Sequence, residues 1–317
     1  MGTKISKPTY CNPKNENIMF QNELENYVFS NNYDFNNTDQ SLNNRVISIY
    51  DKKNNNIFDF MIDKKLGSGG NGRIYKLKGA DLKVYLAIKF GNSDDETKIA
   101  EELNNSNCNV LKVKSVGKQL KNYQEKNKVE NYAYFMELAD GNLRDLALKF
   151  DSLGLNEINR FLTICEIIRK QMICIFDINN DYVYIDMKLE NILYKCRDSS
   201  KLNEYNLMIG DLGAAVPSGG YYLSTYPPYE HRNQKGFINF NNNDEKLSAL
   251  SWELGILLLS FISGSNMNIL AYNSIKNITI DNLQNLYLLM ENTYGSDIAK
   301  LLEPNHLNRR SIRIPLK

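Results

Sequence analysis

Tyr184-Ile185-Asp186-Met187-Lys188-Leu189-Glu190-Asn191-Ile192-Leu193 sets an aspartate and an asparagine in a D-x-x-x-x-N spacing directly ahead of an apolar run. A lysine stands two places after the aspartate. Upstream, Ile158, Phe161, Leu162, Cys165, Ile168, Met172 and Ile175 recur at spacings mostly of three and four. That periodicity predicts a long, core-facing helix over Leu155 to Phe176. The quoted block is therefore a polar loop between a helix and a strand, and a plain connecting turn is its simplest reading.

Downstream, a second short apolar strand at Leu207–Ile209 runs into Gly210-Asp211-Leu212-Gly213. A carboxylate at a strand end followed by glycine can reach a divalent cation, although Asp-x-Gly alone is a common turn. A buried helix is expected from about Leu247 to Ile262, and weaker helical patterns occupy 279–302. The half before the block reads mostly as strands, around Ile57–Ile62, Ile74–Leu77, Val84–Phe90 and Tyr132–Leu138. Glu96 to Leu103 has helical spacing, with Ile99, Ala100 and Leu103 on one face. Strands first and helices second argue an α+β fold in two lobes.

Composition bounds the alternatives. The chain has 317 residues, enough to bury a core in one two-lobed domain. Its formal net charge of +1 gives no overall field for nucleic acid, so no nucleic-acid partner is expected. The most apolar run, Leu254 to Ile262, is too short to span a bilayer. Cys11, Cys108, Cys165, Cys174 and Cys196 are scattered and in no metal-ligand spacing, a pattern that suits reduced thiols in a cytosolic compartment. With His231 and His306 the only histidines, a His-based zinc site is not expected. Residues 1–55 are rich in Asn and poor in periodic apolar positions, and are read as a partly disordered extension. Residues 56–138 form the first lobe and 139–317 the second.

Two further motifs precede the block. Leu66-Gly67-Ser68-Gly69-Gly70-Asn71-Gly72-Arg73-Ile74 is a G-x-G-x-x-G between two strand-like runs. Its glycines let backbone N–H groups approach phosphate oxygens with no Cβ in the way, but a Gly-rich hairpin turn has the same look. No Gly-Lys-Ser/Thr follows, so it is not a P-loop, and no helix follows as a dinucleotide fold would need. Ala87-Ile88-Lys89 ends the third strand. Lys89 is either a solvated edge residue or a cation held over phosphates and fixed by a helix carboxylate. Glu96 is the first choice for that carboxylate, with Glu101 or Glu102 as fallback.

Taken in order, these motifs resemble the eukaryotic-type protein kinase superfamily over roughly residues 57–312. The resemblance implies a bilobal fold with a small β-rich N-lobe and a helical, trimmed C-lobe. It also implies ATP and Mg2+ as cofactors and a protein substrate. By resemblance, Asp186 is the catalytic aspartate, Lys89 the strand lysine, Glu96 its partner, and Asn191 and Asp211 the metal ligands. Lys188 stands where Ser/Thr-type kinases keep a lysine that contacts the γ-phosphate. Leu66, Gly67, Ser68, Gly69, Gly70, Gly72, Ile74 and Ala87 would line the nucleotide. Tyr134 to Leu143 resembles the hinge, with Met136 as gatekeeper and Glu137 and Ala139 offering backbone groups to adenine. The implied activity is transfer of the γ-phosphoryl group to Ser or Thr hydroxyls. A pseudokinase binding module is the alternative, and a small-molecule kinase is disfavoured by Lys188 and the Gly-rich loop.

The departures from the family's pattern bear on regulation. Tyr184 and Ile185 stand where it has His and Arg, so activity independent of activation-loop phosphorylation is expected. The loop from Gly213 to Glu230 is short, and Glu230 is expected to pair with Arg309 or Arg310 or to lie on the surface. Leu250 falls where the family has an aspartate that braces the catalytic loop, so the brace comes from Asp244 or is missing.

Met1-Gly2-Thr3-Lys4-Ile5-Ser6 fits the N-myristoylation pattern at Gly2. One acyl chain binds membranes only marginally; Lys4, Lys7 and Lys14 or a palmitoylated Cys11 would supply the second signal. The expected location is cytoplasmic, peripheral to membranes when acylated. The Asn-rich bias fits a large DNA virus or an intracellular bacterium, in which case the compartment is the host cytoplasm.

Overall fold

The computed structural model describes residues 27–29, 46–51, 56–69, 72–79, 85–91, 95–106, 108–115, 124–125, 128–129, 132–145, 158–196, 205–217, 220–234, 237–262 and 280–316. They fall in two compact units. Unit 1 takes Met1–Asn105, Leu111–Asp140 and Cys196–Glu204; unit 2 takes Ser106–Val110, Gly141–Lys195 and Tyr205–Lys317.

Unit 1 is built on an antiparallel sheet whose strands alternate apolar and polar residues. In chain order they are β1 (Tyr27–Phe29), β2 (Val46–Asp51), β3 (Asn56–Gly69), β4 (Gly72–Gly79), β5 (Tyr85–Gly91) and β6 (Val113–Ser115). A small hairpin comes next, β7 (Gln124–Glu125) with β8 (Lys128–Val129), and then β9 (Tyr132–Glu137) returns to the main sheet. The sheet order is β1-β2-β3-β4-β5-β9-β6. Phe60, Ile62, Tyr75, Leu77, Leu86, Ile88 and Phe90 are buried, which fixes the register, since a one-residue slip would turn them outward. The expected glycine hairpin is present. Gly69 pairs with Gly72, and Gly72 has φ 135°, a conformation for which glycine is the natural residue. Gly70 and Asn71 lie outside the described residues.

Strand pairing starts ahead of residue 56. Val46-Ile47-Ser48-Ile49-Tyr50 is β-rich and pairs with Ile57–Met61 of β3, so the sheet begins inside the Asn-rich segment. Composition averaged over the whole segment hid that run. Between β5 and β6, helix α1 (Asp95–Asn105) buries Ile99, Ala100 and Leu103 on the predicted face, and Glu96 with them.

Unit 2 centres on two long helices. Helix α2 (Ile158–Ile178) buries Phe161, Cys165, Ile168, Met172 and Ile175 as its spacing predicted, while Ile158, in its first turn, is exposed. Helix α3 (Asn243–Ile262) is capped by Asn242, whose Oδ1 accepts the Glu245 amide at 3.0 Å. From Ala249 to Leu259 every residue of α3 is buried, so this helix is the core itself rather than one side of it. Gly255 keeps it close to the turn at Lys300–Leu302: a Cβ there would sit 2.8 Å from Leu302 Cδ2. Helices α4 (Ile280–Tyr294) and α5 (Ser296–Ala299) complete the helical part. A three-stranded sheet runs β10 (Gly141–Asn142), β11 (Ile192–Cys196), β12 (Tyr205–Ile209), and β13 (Tyr222–Leu223) pairs with β14 (Phe237–Ile238). Sheet in one unit and mainly helix in the other make the fold α+β, as expected.

The cysteines correct the reduced-thiol reading. Cys108 and Cys174 form a disulfide, with Cα atoms 5.8 Å apart. Asn109 Nδ2 and Gln171 Nε2 both donate to Leu207 O, at 2.8 and 2.6 Å, and this shared acceptor brings segment 108–110 and α2 together. Sequence spacing cannot report such a contact, because the two cysteines are 66 residues apart. Cys165 is a free, buried thiol. No described helix is long and apolar enough to cross a membrane.

Candidate active site

In unit 1 the antiparallel register sets Lys89 opposite Tyr134 and beside Ile74, and Ala87 opposite Met136. Directly opposed side chains share a face, so Lys89 and Tyr134 meet. Lys89 Nζ lies 2.5 Å from Glu96 Oε2 and 5.7 Å from the Tyr134 ring centroid. The Tyr134 hydroxyl donates to the same Glu96 oxygen. Lys89 and Glu96 are both nearly fully buried, which removes the solvated-edge reading of Lys89. Burial, joined by the Glu96 charge and only partly offset by Lys89, pushes the Tyr134 hydroxyl well above its usual pKa, so it stays a donor. Glu101 and Glu102, the fallback partners, are exposed. In the glycine segment Leu66 and Ser68 are exposed, and a Cβ at Gly67 would meet nothing within 4 Å. Met136 is buried and Ala139 half-buried, while the Glu137 amide donates to Lys112 O.

In unit 2 the loop from Asp186 closes through a short turn at Leu189–Asn191, and β11 begins at once. Asp186 is fully engaged. Its Oδ2 accepts from Lys188 Nζ at 2.7 Å and from Asn191 Nδ2 at 3.2 Å; its Oδ1 accepts from Thr225 N at 3.1 Å and Thr225 Oγ1 at 2.5 Å. Burial works against charge on Lys188, but Asp186 first, then Asp211 and Glu190, hold its pKa above the ordinary value. Asn191 spends its Nδ2 on Asp186, which leaves Oδ1 as the acceptor it can offer elsewhere.

Neighbouring strands bring Asn191 and Asp211 to the same end of the β11–β12 pair, where Gly210 N donates to Asn191 O at 2.9 Å. Tyr184, in the place of the expected histidine, is buried and donates to Gly210 O at 2.7 Å. Asp211 adopts φ 53°, ψ 50°, a left-handed conformation that aspartate tolerates better than most residues. An asparagine oxygen and one carboxylate are hard donors of the kind Mg2+ takes alongside phosphate oxygens and water. The described residues contain no cluster of three or more His, Cys, Asp or Glu that could hold a metal by itself. These two donors would fit Mg2+ with further oxygens completing its coordination.

The brace expected at Asp244 or missing is found elsewhere. Asp244 is exposed in the first turn of α3. Glu253, with no solvent exposure, accepts the Met187 amide on Oε2 at 2.9 Å and lies 3.2 Å from Ser224 Oγ through Oε1. Burial pushes its carboxyl well above the usual range and Asp186 adds to this, while the Met187 amide, Ser224 and Lys188 pull the other way. Burial outweighs these donors, so Glu253 keeps its proton to higher pH than an exposed glutamate does. Glu230 pairs in bidentate fashion with Arg309, at 2.8 and 3.0 Å, whose guanidinium also lies 5.1 Å from the Trp252 ring; Arg310 pairs with Asp297 instead.

Tyr134, Thr225 and Glu253 were not among the sequence candidates. A single acidic residue inside the apolar run of α3 was the visible signal for Glu253. Thr225 and Tyr134 carried none, since each meets its partner only through tertiary pairing. Gly2 lies outside the described residues.

No protein-family model and no curated protein matches the chain. Among solved structures, it is similar to the kinase domain of Mycobacterium tuberculosis PknI at 13% identity, over 80% of this chain and 92% of that one, with a TM-score of 0.46. A double mutant of that domain is similar at 11% identity, over 80% and 91% of the two chains, with a TM-score of 0.48.

Proposed function

We propose that the chain is a protein kinase that transfers the γ-phosphoryl group of Mg-ATP to Ser or Thr hydroxyls. The observation that carries this reading is the Asp186 carboxylate, which holds a side-chain hydroxyl, that of Thr225, on Oδ1 and the Lys188 ammonium on Oδ2. An acceptor hydroxyl placed as Thr225 is placed would be oriented by Asp186, which takes its proton as the oxygen attacks. Lys188 would neutralise charge on the moving phosphoryl group. Lys89, held by Glu96 and Tyr134, would do the same for the other phosphates, and the glycines from Gly67 to Gly72 would offer backbone N–H groups. Bound Mg2+ would neutralise phosphate charge, with Asn191 and Asp211 as its protein ligands. With these contacts spent on positioning and charge, no covalent step on the protein is needed.

The test is transfer of labelled phosphate from ATP to a generic protein substrate. Wild type active, with Asp186→Ala and Lys89→Met inactive, is the expected result. Absence of transfer with either Mg2+ or Mn2+ would instead favour a binding module that keeps the fold. Tyr184 and Ile185 leave no arginine beside Asp186 for a phosphorylated loop, so activity should survive phosphatase treatment. Myristoylation at Gly2, with peripheral membrane contact, belongs to the same proposal. Mass spectrometry of protein made in eukaryotic cells checks it, and an unmodified Gly2 would remove it.

A further inference from the structure

We infer that Glu253 is a positioning residue that sets Asp186 and Thr225 against each other by holding the residue next to each. The inference rests on the kinase reading. Glu253 Oε2 takes the amide of Met187, adjacent to Asp186, and Oε1 faces the hydroxyl of Ser224, adjacent to Thr225. Asp186 Oδ1 in turn holds both the amide and the hydroxyl of Thr225. Two loops are therefore joined directly at one point and through a helix side chain at a second. Contacts at one carboxylate oxygen leave two segments free to pivot about it; a second, separate link closes a ring that limits their angle. The register of α3 makes this possible, because its residues from Ala249 to Leu259 are held on all sides by core packing.

Leu250, one turn earlier on the same helix, is equally buried and apolar. An apolar side chain at 253 would leave the buried Met187 amide without this acceptor, at about 1–3 kcal/mol. What an apolar residue cannot do is accept the Met187 amide and engage Ser224. The loop has a separate anchor in Trp252, whose Nε1 donates to Tyr226 O at 3.1 Å, so loss of Glu253 need not release it. The charged groups facing Glu253 are Asp186 and Lys188.

The experiment compares wild type, Glu253→Ala and Glu253→Gln in phosphate transfer and in amide hydrogen exchange. Glu253→Ala is expected to lower kcat by about 100-fold, the scale of a small misplacement of a reacting group, with KM for ATP unchanged. Glu253→Gln, whose amide offers an acceptor to Met187 N and a donor to Ser224 Oγ, should recover most of that loss. Exchange of the amides in 183–191 and 224–226 should quicken in the alanine variant and return in the glutamine variant. Wild-type kcat in Glu253→Ala overturns the inference. So does equal loss in both variants at unchanged Tm. If Glu253→Ala fails to fold, Ser224→Ala removes one corner alone; kcat unchanged in that variant also overturns it. Should the wild type transfer no phosphate, the kinase reading falls, and the exchange pattern alone decides whether Glu253 holds the two loops.

Discussion

Tyr134 donates its hydroxyl hydrogen to Glu96, on the oxygen that also receives Lys89. The pair links a strand to α1 and leaves Glu96 Oε1 buried with no hydrogen-bond partner among the described residues. One oxygen therefore carries both contacts.

Tyr134→Phe removes one of them. A buried carboxylate deprived of a donor loses about 1–3 kcal/mol, so the variant should be less stable by that amount in urea unfolding. Phosphate transfer should fall as well, because Glu96, which holds Lys89, would lose the hydroxyl that helps fix the same oxygen. Equal stability and equal transfer in the two proteins would show that the hydroxyl contributes nothing.

Glu253 gives a pH dependence of known sign. Its folded-state pKa is raised, so the native state keeps a proton that the unfolded chain releases near the ordinary carboxylate value. The stability it contributes is complete below about pH 4.3 and is lost as pH rises toward the folded value, at up to about 1.4 kcal/mol per pH unit. Glu253→Gln has no such loss. Its stability relative to wild type should increase from pH 5 to pH 8, read from urea midpoints at each pH. A constant difference would mean that Glu253 is ionised in the native state.

The Cys108–Cys174 bridge closes a long loop between two segments of unit 2. In the chain-entropy picture, a loop of 66 residues stabilises by about 4 kcal/mol. Cys174→Ser, or treatment with a dithiol reductant, should lower Tm, and alkylation without reductant should leave Cys108 unlabelled. Full labelling of the untreated protein would rule the bridge out.

Gly255→Ala should destabilise. The added methyl would come within 2.8 Å of Leu302 Cδ2 and 3.0 Å of Leu301 Cβ, and overpacking of this kind costs about 1–3 kcal/mol. Alanine is otherwise the better helix former, so an increase in the denaturation midpoint would show that the turn at 300–302 gives way freely.

Much of this arrangement was legible in local patterns. The D-x-x-x-x-N loop, the glycine hairpin and the helical face of α1 each lie within a short window, where spacing reports geometry directly. Glu96 was reachable because it lies seven residues from Lys89 across one connection. What escaped depended on long-range pairing. Tyr134 meets Lys89 through strand register, Cys108 meets Cys174 across 66 residues of chain, and Thr225 meets Asp186 across a loop. Glu253 escaped for a different reason. It lies three residues after Leu250, and residues three apart share a helix face, so either position can reach the same loop and spacing alone does not choose between them. Strand β2 was lost to the averaging of an Asn-rich segment.

Helix α3 also serves as a ruler. Trp252 and Glu253 are consecutive, yet one reaches Tyr226 and the other reaches Met187. Each residue added or removed turns the remainder of the helix by about 100° about its axis. Deleting one residue between Asp244 and Ser251 would therefore swing both side chains off their targets together, even with every remaining residue unchanged. Tolerance in this segment should be wide for replacement and narrow for change of length.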